Sequence, residues 1–118
     1  MRDVANPSAQ DTYFPVARQK DWYYGHSWGS GLLSHEDNRN LQSSSETVNC
    51  YYAIALLGRA LGNTQLDQWG RLLATTEIRS AKKYFQVIDS SLYPAEFAVN
   101  RVVGTMWDTK VDQRSYYG

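Results

Sequence analysis

Apolar residues recur at steps of three and four through the middle of the chain: Leu66, Trp69, Gly70, Leu73, Ala74, Ile78, Ala81, Tyr84, Phe85 and Ile88. That period is the stripe of an amphipathic helix, and it predicts one over residues 64–88, roughly 37 Å long at the helical rise. Thr64 followed by Asp67 has the spacing of a capping box, with Asp in place of the usual Glu. Upstream, Val48, Tyr51, Tyr52, Ala55, Leu56 and Ala60 repeat at the same interval, while Ile54, Leu57 and Leu61 make the rest of that segment apolar too. The expectation is a helix over 44–62, covered on most sides, opened by the hydroxyls of Ser43, Ser44 and Ser45 and stopped by Gly62. So short a connection makes the two helices an antiparallel αα-hairpin. Glu77 falls inside the apolar stripe, where a carboxylate needs a partner; a paired structural carboxylate is the favoured reading, a site residue the other.

The ends of the chain lack this period. Residues 1–43 read as long ordered loops: Pro7 and Pro15 hold extended or turn backbone, and Tyr13, Phe14 and Val16 are apolar enough to anchor the segment. Gly25, Gly29 and Gly31 allow tight turns and close approach of a ligand, or mark an ordinary turn. His35 to Asn40 reads as a solvated loop. Residues 89–118 begin with a turn, after which Phe97, Val99, Val102, Val103, Met106, Trp107 and the run from Val111 to Tyr117 suggest β structure in a small hairpin.

Charge removes several partners from this picture. Twelve basic and 12 acidic residues cancel and form no runs, so the electrostatic footprint of nucleic acid or an anionic membrane is absent. No window approaches the roughly 20 apolar residues of a membrane span, and the residues after Met1 have no apolar secretory core. Cys50, the single cysteine, sits among YYAIALL and reads as a buried thiol. With no CxxC, HExxH, GxSxG, GxxxxGK or GxGxxG, neither a metal nor a cofactor is expected.

What remains is an aromatic and carboxylate cluster. Asp21, Trp22, Tyr23, Tyr24, His26 and Trp28 lie within eight residues, and aromatic faces beside hydrogen-bonding groups suit a sugar chain, with its apolar C–H faces and hydroxyl rim. Glycoside hydrolysis needs two carboxyl groups, and Asp21 and Glu46 are available. Gln42 and Glu46 are four apart and would share a face if the helix reached back to Gln42. The positive end of the helix stabilises negative charge at Glu46, which suits a base or an orienting group. Gln42 has no lone pair basic enough to take a proton from water, though it can hold a water or a sugar hydroxyl. The pair is equally readable as a plain helix cap.

These residues carry a resemblance. RDVANPS, YFPVARQKDWYYGHSWGSG, NLQSSSETVNCYYAIALLGRALGN, LLATTEIRSAKKYF, LYP and VVGTMWDTKVD are similar to text of the endo-β-1,3-glucanases of glycoside hydrolase family 81, over nearly the whole chain. The resemblance implies a mainly α fold, a segment of an (α/α)6 barrel, and an inverting hydrolase of β-1,3-glucan outside the cell or in the cell wall. The partners it implies are β-1,3-glucan and the remainder of a catalytic domain. It makes Asp21 and His26 cleft residues, places Trp22, Tyr24, Ser27 and Trp28 along the glucan path, and makes Glu46 the second member of the family's ExxxE pair. The first member, the general base by resemblance, falls on Gln42. The family's proton-donating Asp belongs to a motif resembling DHHFHYGY, which does not occur in this sequence. The expectation is an endo-β-1,3-glucanase segment that binds glucan weakly at most and does not hydrolyse it. A non-catalytic or decayed glucan binder is the alternative, ahead of a helical interaction module whose aromatics are all core.

Overall fold

The computed structural model describes residues 2–6, 8–29, 31, 38–88 and 91–114. Two short strands come first, β1 (Lys20–Asp21) and β2 (His26–Ser27), then β3 (Asn40–Leu41), the helices α1 (Ser44–Ala60) and α2 (Thr64–Tyr84), a one-turn α3 (Ala95–Ala98), and β4 (Thr105–Trp107) and β5 (Val111–Asp112). β1 pairs with β2, and β3, β4 and β5 form a second antiparallel sheet in that order. The fold is therefore helical with a few small strands.

The αα-hairpin is held by backbone contact as much as by side chains. Gly58 and Gly70 sit where the helices cross: a Cβ on Gly58 would collide with the backbone of Asp67, and one on Gly70 with that of Ala55. α1 ends in a Schellman turn, with Gly62 in the left-handed region and Asn63 N–H reaching back to the Gly58 carbonyl at 2.8 Å. The predicted Thr64 capping box is not what forms. Asn63 is the N-cap, its side chain accepting from Leu66 N–H at 3.0 Å, and Asp67 instead pairs with Arg71 and Arg59.

Four further expectations are corrected. α1 is covered on one stripe, Tyr51, Ile54, Ala55 and Gly58, while Tyr52, Leu56, Leu57 and Leu61 outside the path of α2 are exposed. Cys50 is exposed rather than buried, because it lies about a quarter-turn from that stripe. α2 stops at Tyr84, short of the predicted Ile88, because the backbone beyond it leaves helical geometry to pair with the segment around Val102: Gln86 bridges Val102, and Val103 N–H donates to the Phe85 carbonyl. The N-terminal segment is anchored by Ala5 and Ala17, both buried, whereas Tyr13 and Val16 are exposed and Phe14 is half-buried under the Arg2 guanidinium.

Ala5, Ala17, Tyr51, Ile54, Leu66, Leu73 and Ala74 form one core between the N-terminal loop and the helices. A second, of Trp28, Leu41, Phe85, Val87, Ala98, Val103 and Met106, ties the end of α2 to the C-terminal sheet. Phe97, predicted as strand, lies in α3 after Pro94; the hairpin itself is the pair β4 and β5, in register Thr105 to Asp112. Of the predicted solvated loop, His35 to Asp37 lie outside the described residues.

Candidate functional site

Successive side chains of a strand leave on opposite faces, and directly opposed residues of a pair share one. β1 and β2 pair Lys20 with Ser27 and Asp21 with His26. Lys20 and Ser27 therefore leave one side of the DWYYGHS hairpin, Asp21 and His26 the other.

The inner side meets Glu77. Lys20 Nζ donates to Glu77 Oε2 at 2.9 Å and to the Gly25 carbonyl at 2.8 Å; both charged side chains are fully buried. Ser27 N–H donates to Glu77 Oε1 at 3.1 Å, and Ser27 Oγ lies 3.2 Å from Oε2 and 2.6 Å from the Tyr51 hydroxyl. Burial pushes the Lys20 ammonium below its ordinary value against the opposing pull of Glu77, and burial pushes the Tyr51 hydroxyl up to about 12. Glu77 thus has its partner, Lys20, and acts as a structural carboxylate. Ser80 Oγ, one turn along α2, donates to the Tyr24 carbonyl at 2.9 Å.

The outer side is aromatic. Asp21 Oδ1 accepts the backbone N–H groups of Tyr23 and Tyr24, closing the turn, and Oδ2 accepts the Trp28 indole N–H at 3.0 Å. Burial raises the Asp21 carboxyl, but those hydrogen bonds and the Arg39 charge, 3.5 Å away, more than offset it and hold the group below the usual carboxylate value. Arg39 also donates to Asp108 Oδ2 at 3.0 Å and lies over the Trp28 ring at 5.2 Å. It ties the hairpin to the turn after β4. The β3–β4 pairing of Asn40 with Trp107 brings that turn alongside.

His26 is buried between Tyr24, stacked at 5.8 Å, and Trp28, edge-on at 4.5 Å. Its Nδ1 lies 3.0 Å from the Ser27 carbonyl. A carbonyl only accepts, so that bond puts a proton on Nδ1; burial pushes the imidazole down, which keeps the ring neutral and leaves Nε2 an acceptor. Tyr24, His26, Trp28, Tyr84, Tyr93, Met106, Trp107 and Asp108 are among the residues lining a cleft of about 320 Å³.

The predicted site residues do not all meet there. Tyr24, His26 and Trp28 line the cleft; Asp21 stands behind Trp28 as its hydrogen-bond acceptor. Trp22 turns away to Trp69, ring centres 5.8 Å apart, and Ser27 is spent beneath the hairpin on Glu77 and Tyr51. Gln42 lies before the extended N-cap Ser43 rather than in α1, so the four-residue helical spacing to Glu46 does not apply; Glu46 is exposed in the first turn. Neither lines the cleft among the described residues. The sequence does not single out Tyr84, Tyr93, Trp107 and Asp108, which line the cleft, or Arg39, which joins Asp21 to Asp108. Trp107 and Asp108 carry a local signal, an aromatic beside a carboxylate in MWD; the others depend on tertiary contact.

Among the described residues no three His, Cys, Asp or Glu side chains gather as cation ligands, and no helix is long and apolar enough to cross a membrane.

Comparison with known proteins supplies the family. A family model, Glycosyl hydrolase family 81 C-terminal domain, matches residues 1–118. The chain is 33% identical over 118 residues to a primary septum glucan endo-1,3-beta-D-glucosidase of Schizosaccharomyces pombe, covering all of this chain and 12% of that protein. Over 94 residues it is 42% identical to a glucan endo-1,3-beta-D-glucosidase of Glycine max, covering 78% of this chain and 14% of the relative. A solved family 81 glycoside hydrolase from Clostridium thermocellum, in mutant form, superposes with a TM-score of 0.80 at 34% identity, over 90% of this chain and 15% of that one. The chain thus spans a small part of the length of the relatives it matches. With the family model matched from end to end and the local fold shared, the chain belongs to glycosyl hydrolase family 81, within its C-terminal domain.

Proposed function

We propose that this chain is the glucan-binding segment of an endo-β-1,3-glucanase, contributing one wall of a cleft whose catalysis needs groups from the remainder of an (α/α)6 catalytic domain. The observation that carries the reading is the packed aromatic set Tyr24, His26 and Trp28 beside a cleft of about 320 Å³, combined with relatives named as glucan endo-1,3-beta-D-glucosidases. Tyr24, 38% exposed, can present its ring face to sugar C–H groups, while His26 and Trp28 are buried and pack against it. The working enzyme acts outside the cell or in the cell wall.

In an inverting hydrolase one carboxylic acid protonates the leaving oxygen while a carboxylate activates a water on the opposite face of the sugar. Glu46, exposed at the start of α1, is the carboxylate this chain offers toward that water, and Gln42 can only orient it. Asp21, held ionised by Trp28 and Arg39, is poorly suited to donate a proton and serves to fix Trp28. His26, neutral, serves as a hydrogen-bond acceptor in the cleft. The acid is then contributed from elsewhere in the catalytic domain. Gln42 also favours a second reading, a binder that does not hydrolyse.

Titration of the purified chain with laminarihexaose, followed by tryptophan fluorescence, should give a saturable change that cellohexaose does not; a flat response contradicts the glucan reading. Laminarin incubated with the chain should release no reducing sugar. Release of oligosaccharides would overturn the assignment of incomplete chemistry.

A further inference from the structure

Ser80 lies inside α2 with its side chain buried. Neither circumstance suits a serine, which forms helix less well than alanine and carries a hydroxyl that must find a partner once buried. The partner open to it within a helix is the carbonyl one turn back, and Thr76 takes that course: its Oγ1 donates to the carbonyls of Leu72 and Leu73 at 3.0 Å. Ser80 instead reaches out of the helix. Its Oγ donates to the Tyr24 carbonyl at 2.9 Å, 56 positions away in the sequence.

Tyr24 is the cleft-lining ring of the hairpin that solvent can reach; His26 and Trp28 beside it are buried. Its backbone is held on both sides, the N–H by Asp21 Oδ1 at 3.2 Å and the carbonyl by Ser80. At Gly25 the chain turns with φ at 77°, and the Gly25 carbonyl accepts from Lys20, which Glu77 holds from one turn before Ser80. The turn rests directly on α2: a Cβ on Gly25 would stand 3.6 Å from the Thr76 carbonyl and 3.7 Å from Ser80 Cβ. One turn beyond Ser80, the Tyr84 ring meets the Tyr24 ring edge-on, centres 6.2 Å apart. Successive turns of α2 thus grip Tyr24 by its backbone and by its ring. The direction of a side chain follows its backbone, so a small tilt of the Tyr24 peptide becomes a larger displacement of the ring in the cleft.

We propose that Ser80 is a positioning residue for glucan binding: by bonding the Tyr24 carbonyl from α2, its hydroxyl sets where the Tyr24 ring stands in the cleft. Ser80 is not among the residues lining the cleft and acts through Tyr24 alone. The inference rests on the β-1,3-glucan reading above and adds to it a residue that the aromatic cluster does not contain.

The test is a double-mutant cycle on the chain with laminarihexaose as the probe, crossing Ser80→Ala with Tyr24→Ala. Ser80→Ala should raise the dissociation constant about threefold or more, the coupling expected of contacting residues. On the Tyr24→Ala background the same substitution should leave it unaltered, because the ring to be placed is gone. A second readout needs no sugar. In a tyrosine-labelled chain, with Tyr24→Phe assigning the signals, the Tyr24 ring-proton resonances should shift in Ser80→Ala while those of the exposed Tyr13 stay in place. If Ser80→Ala binds as the unaltered chain does, loses affinity equally on both backgrounds, or leaves the Tyr24 resonances where they were, the positioning role is refuted and the glucan reading stands. If the unaltered chain shows no saturable binding, the glucan reading falls and the inference with it.

Discussion

Lys20 and Ser27 leave the β1–β2 hairpin on one side, Asp21 and His26 on the other, and the two sides are finished differently. On the inner side the polar groups are used up: the Lys20 ammonium, the Glu77 carboxylate, Ser27 and the Tyr51 hydroxyl bond one another in a closed, buried set. On the outer side the rings are packed and the carboxylates are held, but among the described residues the buried Nε2 of His26, and Trp107 Nε1 and Asp108 Oδ1 of residues lining the same cleft, are left without partners. A protein whose hairpin existed only to complete a core would gain by satisfying both sides. A rigid inner side is what the proposed glucan-binding role of the outer side would require as its support.

The largest effect that would break this contrast lies on the inner side. Glu77→Ala leaves Lys20 charged and buried with no counter-ion, and should cost roughly 3–5 kcal/mol in unfolding free energy by urea titration. Replacing both partners with apolar residues, Lys20→Met with Glu77→Leu, should recover much of that loss. Equal instability of the single and double variants would show that the pair is not what anchors the hairpin.

Next in size is Asp21→Ala, which removes the acceptor of the Trp28 indole and of two turn N–H groups together with an Arg39 contact. A loss of about 1–3 kcal/mol is expected, with a shift in tryptophan emission as the Trp28 indole loses its acceptor. Unchanged emission would mean that Asp21 does not orient Trp28.

Acid should then weaken the outer side in two stages. The His26 imidazole is pushed down by burial, so below the ordinary histidine value of about 6.5 the unfolded chain binds a proton that the folded chain refuses. The Asp21 carboxyl is held down, so its contribution is present above about 3.9 and is lost as pH falls further. Urea midpoints should fall between pH 7 and 5.5, and again below pH 4. The inner side responds to alkali instead. Tyr51, held protonated up to about 12, stabilises the fold below the ordinary tyrosine value of about 10 and ceases to do so as pH rises through its own. A midpoint flat between pH 7 and 5.5 would remove His26 from the account.

The smallest prediction concerns Cys50, exposed on α1. Ellman's reagent should titrate it in the native chain without denaturant; protection would show that the α1 face is covered in solution.

Much of this organisation was legible in the sequence. The αα-hairpin followed from the three-and-four spacing of Leu66, Leu73 and their neighbours, and the stop at Gly62 from its freedom at positive φ, observed at 65°. Glu77 announced its need for a partner by falling in an apolar stripe, but Lys20 is 57 positions away, and nothing local could name it. The buried face of α1 is not legible locally, because its sequence is apolar all round while only the stripe through Tyr51, Ile54, Ala55 and Gly58 is buried among the described residues. The cleft was half legible: DWYYGHSW supplied Tyr24, His26 and Trp28. Trp107 and Asp108, which also line it, come in through the pairing of β3 with β4, a contact between strands too short to leave a period. Trp22 shows the converse. It belongs to the aromatic cluster in sequence and to Trp69 in space, because the residues between the paired strands form a turn that sends its ring the other way.

The most direct measurement of the contrast is the dissociation constant of Tyr24→Ala for laminarihexaose, taken beside its unfolding free energy. Tyr24 lines the cleft with its ring partly exposed, and it is the Tyr24 backbone, not the side chain, that bonds Ser80. Affinity should fall about tenfold or more while stability changes by no more than about 1 kcal/mol. Unchanged affinity, or affinity and stability falling together, would contradict the separation of a binding face from its support.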